Sequence, residues 1–146
     1  MIVPDLNLLV YAYNSDAPHH EASRRWWEAC LSGTHTVGLT WPVILGFVRV
    51  MTSRRILLDP MPPSEALGHV RAWLERPQAQ VLQQGPRHLW ILEEILVGAG
   101  ATATLTTDAH LAALAIEHQA DLHSNDADFG RFPGLRWRNP LAKPAR

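Results

Sequence analysis

The chain has 146 residues, 47% hydrophobic and 18% charged, which suits one folded domain over residues 1–146 with a proper core and excludes a disordered or fibrous chain. The formal net charge of -1 gives no basic surplus of the kind that marks a nucleic-acid binder, although all but one of its 13 basic residues are arginine, a side chain suited to bidentate phosphate or carboxylate contacts. Cys30 is the only cysteine, so no internal disulfide can form, and its place in WWEACL reads as buried helix core. The start lacks a basic leader segment and carries Asp5 in its apolar opening, unlike a signal peptide. The run ILVGAGATATLTT is too short and too rich in threonine and glycine to span a bilayer. A cytoplasmic protein is expected.

In chain order, MIV (1–3) reads as a buried strand and NLLVYAYN (7–14) as a helix. HEASRRWWEACLSG (20–33) has apolar or small residues at helical spacing, with Gly33 as a stop. HTVGL (35–39) is a candidate strand, and PVILGFVRVMT (42–52) an apolar helix with Pro42 in its first turn. After DPMPPS, Ser64 is placed to cap EALGHVRAWLER (65–76). AQVLQ (79–83) suits a strand and PRHLWILEEILVGAG (86–100) a helix ended by glycine. Asp108 opens the alanine-rich helix DAHLAALAIEHQ (108–119), followed by strands DLHS (121–124) and LRWRN (135–139). Strands alternating with helices predict an α/β chain, a three-layer α/β/α sandwich around a parallel sheet.

Ligands in such folds sit beyond the carboxyl ends of the strands. Asp5 falls just past the first strand, and Asp126 and Asp128 just past DLHS in the run SNDADFGRF; Asp108 falls at a helix start. Each has a plain reading. Asp5 and Asp108 suit helix caps, and Asp126 and Asp128 suit a turn. Together, acids gathered at one edge repel, so one must take a proton or a cation must bind. A hard divalent ion such as Mg²⁺ or Mn²⁺ favours carboxylate oxygens and keeps other positions for water and phosphate. Spacing alone leaves caps, turn and cation site open.

Three other motifs lead nowhere. DFG (128–130) lacks every other kinase element, and GAGATA (98–103) follows a helix where a dinucleotide fingerprint follows a strand. His19, His20 and Glu21 diverge around a helix and do not make a zinc set.

Three stretches, DLNLLVYAYNSDAPHHEASRRWWE, TWPVILGFVRVMTSRRI and TDAHLAALAIEHQADLHSNDADFGRFPGLRWRNPL, resemble PIN-domain nucleases, in particular the VapC toxins of type II toxin–antitoxin pairs abundant in mycobacteria. The resemblance implies an endoribonuclease that cleaves structured RNA such as tRNA or rRNA, leaving 3′-hydroxyl and 5′-phosphate ends and stopping translation. It implies that Asp5, Asp108 and Asp126 hold Mg²⁺ or Mn²⁺, with Asp128 accessory and Asn7 and Ser124 as supporting polar positions. It also implies a homodimer and a VapB-type antitoxin that covers the active site and binds operator DNA. One departure stands out: many PIN domains supply a further acid from the helix corresponding to PVILGFVRVMT, where Gly46 stands here. Arg49, one turn on, and Arg54 and Arg131 are candidates to hold RNA backbone. Two other readings stay open: a weakened module that binds RNA or antitoxin without cutting, and an unrelated acidic-site phosphohydrolase or phosphoacceptor using Asp5.

Overall fold

The computed structural model describes residues 1–100 and 103–143. Five short strands form a parallel sheet: β1 (Ile2–Pro4), β2 (Val37–Leu39), β3 (Ala79–Val81), β4 (Asp121–His123) and β5 (Arg136–Arg138), in the order β3-β2-β1-β4-β5. Six helices connect or flank them: α1 (Leu6–Tyr13), α2 (His20–Ser32), α3 (Trp41–Met51), α4 (Pro63–Leu74), α5 (His88–Gly98) and α6 (Thr106–Glu117). The three-layer α/β/α arrangement follows from burial on both faces of the sheet. Its inner strands carry the apolar residues Val3, Val37, Leu39 and Leu122, all at most 1% exposed, as parallel pairing between helix layers requires. Arginine appears at the edge, in β5, where solvent reaches it.

The chain runs outward from β1 through β2 to β3, then crosses back to β4 on the other side of β1. The direction of winding therefore reverses between β1 and β4, whose register pairs Pro4 with His123. Residues following these two strands emerge side by side at the switch point.

One side of the core is aromatic. Trp73 packs on Phe47 at 4.8 Å and edge-on to Trp27 at 5.4 Å, and its indole N–H donates to the Tyr13 hydroxyl at 2.8 Å. That cluster ties α1, α2, α3 and α4 together. In α6, buried Ala109, Ala112, Ala113 and Ala115 present little side-chain bulk, which lets the helix backbone lie close to its neighbours. Cys30 is buried, and burial pushes its thiol up to about 12, so it packs as an inert apolar group. No helix among the described residues is long and apolar enough to cross a membrane.

Several local expectations are corrected. Ser64 caps nothing: α4 begins at Pro63, Pro62 occupies the cap position, and no side chain closes the end. Proline at the first helical position has no N–H to satisfy, so the cap is less needed. Asp108 is not the first residue of its helix; α6 begins at Thr106 after a 3₁₀ turn over Ala103–Leu105, and no side chain caps it. Each strand is three residues long; β2 to β5 are shorter than the runs that announced them, and β1 lies one residue later than MIV. Of the GAGATA run, residues 101 and 102 lie outside the described residues.

Candidate active site

Asp5 leaves β1 and caps α1. One carboxylate oxygen accepts from the Leu6 backbone N–H at 2.7 Å, and the other accepts from the Ser124 hydroxyl at 2.7 Å. The cap reading and the site reading are thus compatible, because capping engages one oxygen edge.

Ser124 is fully buried and is the hub of the arrangement. Its hydroxyl has one proton, given to Asp5, and it accepts from the Asn7 amide at 3.2 Å and the Asp126 backbone N–H at 3.0 Å. Donor and both lone pairs are used, which fixes the hydroxyl direction. Asn7 closes the loop by accepting from the Asn125 backbone N–H at 3.4 Å. Asp126 caps a short 3₁₀ helix (Ala127–Arg131), accepting from the Asp128 backbone N–H at 2.9 Å. Its turn role is also real.

Asp108 stands in the first turn of α6. It shares with Asp5 a cleft of about 130 Å³ whose walls include Pro42, Val43, Gly46 and Arg49 of α3 and Thr107 and Leu111 of α6. Burial, then the charges of Asp5, Asp126 and Asp128, raise its carboxyl from the ordinary 3.8 to about 6. Asp5 is raised too, by burial first and by Asp126, against the lowering effect of its bonds to Ser124 and Leu6. The other three acids are close enough to act on Asp108 electrostatically, though only Asp5 and Asp108 wall the cleft. As they lie, no three His, Cys, Asp or Glu side chains among the described residues surround a point that could hold an ion.

Asp128 is exposed, 4.0 Å from the Arg131 guanidinium. Arg131 therefore lies beside an acid, not in the cleft. Arg54 is exposed in the turn after α3 and is not a wall of the cleft either. Arg49 is a wall of the cleft, and among the described residues it makes no ion pair.

Gly46 faces the cleft where the extra acid was sought, and α3 brings no carboxylate there. A Cβ on Gly46 would come 2.7 Å from a terminal methyl of Leu6. Glycine here serves the close approach of α1 to α3. Sequence reading missed Leu6 as a wall, and missed Trp137, whose indole N–H holds the Ser124 carbonyl at 3.0 Å. Alternation in the last strand was the available signal for Trp137; nothing local marks Leu6.

A larger groove of about 700 Å³ lies between α5 and α6, walled by residues such as Trp90, Ile95, Ile116 and Pro133. It holds none of the four aspartates, so size does not choose the site.

The model of the PIN domain matches residues 2–135. Ribonuclease VapC33 of Mycobacterium tuberculosis is 45% identical over 141 residues, covering 97% of this chain and 99% of the relative. The chain belongs to the VapC branch of the PIN-domain family. Another VapC relative, ribonuclease VapC37 of the same organism, is 44% identical over 142 residues, covering 97% and 99%. The fold agrees with VapC structures: VapBC2 from Rickettsia felis, bound to a promoter DNA fragment, superposes with a TM-score of 0.69 at 21% identity, covering 95% of this chain and 98% of that one. VapC20 of M. tuberculosis, a toxin that cleaves the sarcin–ricin loop, gives 0.67 at 18%, covering 93% and 99%.

Proposed function

We propose that the chain is a single PIN domain acting as a Mg²⁺- or Mn²⁺-dependent endoribonuclease, the toxin of a VapBC pair, and that it cuts structured RNA such as tRNA or rRNA. The observation that supports the reading most is the cleft itself. Asp5 and Asp108 share it, Asp126 presses on both and Asp128 on Asp108, and no arginine or lysine is paired with Asp5, Asp108 or Asp126 among the described residues. Uncompensated carboxylates at one strand edge fit a hard divalent cation.

Asp5, Asp108 and Asp126 would hold the ion, with Asp128 accessory. When bound, it supplies an acidified water and neutralises charge on the phosphodiester. Ser124 and Asn7 hold Asp5 and the Asp126 backbone in fixed relation, so the carboxylates are presented without searching rotamers. Arg49, on the α3 wall, is placed for a phosphate oxygen; Arg54 and Arg131 would hold backbone farther out. The net reaction adds water across phosphorus: its oxygen bonds to phosphorus, the 3′ oxygen leaves and gains a proton, and the 5′-phosphate remains.

Membership in the VapC branch, and fold neighbours that are VapBC complexes, support a VapB-type antitoxin as partner, a homodimer and a cytoplasmic setting. A second reading, a binding module that grips RNA or antitoxin without cutting, is favoured by one observation: α3 adds no acid to the cleft. Cleavage of total cellular RNA by purified, antitoxin-free protein separates the two. Discrete fragments with Mg²⁺ or Mn²⁺ that vanish with EDTA or in Asp5→Asn establish the nuclease. Intact RNA that folded protein nonetheless binds supports the binder.

A further inference from the structure

Five of the six tryptophans have partners. Trp27 and Trp73 pack together in the core. Trp26 stacks near His123 and donates to its ring at 3.1 Å. Trp137 donates to the Ser124 carbonyl, and Trp90 lies under the Arg87 guanidinium at 4.9 Å. Trp41 is the exception. It is 55% exposed, and among the described residues nothing stacks on its ring or accepts from its indole N–H.

Its position gives that exposure a meaning. Trp41 is the first residue of α3, next to Pro42, and Pro42 walls the cleft with Asp5 and Asp108. The backbone there is held: Thr40 precedes it as the helix cap, its carbonyl accepting from the Ile44 N–H at 2.9 Å, and Pro42 fixes the chain direction. Two turns along the same helix, Arg49 walls the same cleft. A rise of about 1.5 Å per residue separates the two backbones by roughly 12 Å, the reach of about two nucleotides in an extended strand.

We propose that Trp41 is the platform on which an unpaired base of the RNA stacks while the neighbouring phosphate enters the Asp5–Asp108 cleft, with Arg49 on the backbone. This rests on the ribonuclease reading. Every base offers a π-face, so an exposed indole on the residue next to a wall of that cleft would select single-stranded or splayed nucleotides without selecting sequence. A duplex, with its bases stacked inside, cannot use it. The substrate segment is therefore an unpaired loop or bulge.

The test uses a short single-stranded RNA carrying 2-aminopurine, bound to Asp5→Asn protein so that it is not cut. Stacking quenches the 2-aminopurine emission. Trp41→Ala in that background should weaken binding roughly 5- to 150-fold and abolish the quench, while Trp41→Phe keeps most of both. In otherwise wild-type protein, Trp41→Ala should raise KM for cleavage of total RNA with kcat nearly kept. Unchanged affinity and quench in Trp41→Ala, with cleavage intact, would overturn the platform and leave the nuclease standing. Sedimentation of the same variant supplies another overturning result: loss of a dimer would make Trp41, with exposed Leu45 one turn on, a contact between copies. If wild type neither cuts nor binds RNA, the ribonuclease reading and the platform fall together.

Discussion

Replacing Asp108 by asparagine should make the metal-free protein more stable while destroying its use of metal. The side chain keeps its shape and loses its charge. In the folded chain the Asp108 carboxyl ionises at about 6, against an ordinary 3.8, because burial and then Asp5, Asp126 and Asp128 oppose the charge. Folding therefore favours the protonated form. Above pH 6 both folded and unfolded chains carry the charge, and the folded one bears the full penalty; as pH falls through 6 toward 3.8 the penalty disappears. The gap corresponds to roughly 3 kcal/mol, which solvent at this half-exposed site screens to about 1–2 kcal/mol. Melting in EDTA at pH 8 should thus show Asp108→Asn higher than wild type by roughly 2–8 °C, with the difference gone near pH 4. Adding Mn²⁺ at pH 8 should reverse the order, since ligand that binds only the native wild type stabilises it by about 2.7 kcal/mol at a hundredfold excess over Kd. A variant no more stable than wild type at pH 8, or equally shifted at both pH values, would refute the claim that the acids strain one another. A variant that gains as much from Mn²⁺ as wild type would remove Asp108 from the ion site.

Ser124→Ala deletes the hydroxyl shared by Asp5, Asn7 and the Asp126 N–H; Mn²⁺ affinity by calorimetry should fall about 10- to 100-fold, and an unchanged affinity would reduce the hub to a packing role. Gly46→Glu brings a Cβ within 2.7 Å of a Leu6 methyl and should cost about 1–3 kcal/mol in a urea melt. Adding Leu6→Ala should recover part of that loss, because a methyl tip, not backbone, is in the way. Trp73→Ala empties the middle of the aromatic cluster and should cost about 3–5 kcal/mol, read by the same melt.

The large features of the fold were legible because they follow from periodicity. The alternation of apolar runs with amphipathic helices named the sheet and its parallel sense, and the apolar content of β1, β2 and β4 placed them inside. Helix starts were less legible. Ser64 and Asp108 have the chemistry of caps, yet Pro62 and Pro63 start α4 without one, and a 3₁₀ turn brings α6 in two residues early. Backbone geometry upstream outweighed a local side-chain preference in both. At the site, strand ends announced Asp5 and Asp126, but the contacts that give them their setting are long-range. No local pattern says that Ser124 will hand its proton to Asp5, or that Leu6 will fill the space Gly46 leaves open. Those depend on how α1, α3 and β4 meet.

The bond between Ser124 and Asp5 spans 119 positions of sequence, and β1 cannot sit between its partners until β4 has been made. On a ribosome adding about 5–20 residues each second, the N-terminal half waits several seconds with Asp5 and Asn7 unaccompanied. The site proposed above is therefore incomplete throughout that interval. The segment from Ser124 to Asp128 would be the arming step, because until it emerges Asp5 has no hydroxyl to hold its second oxygen.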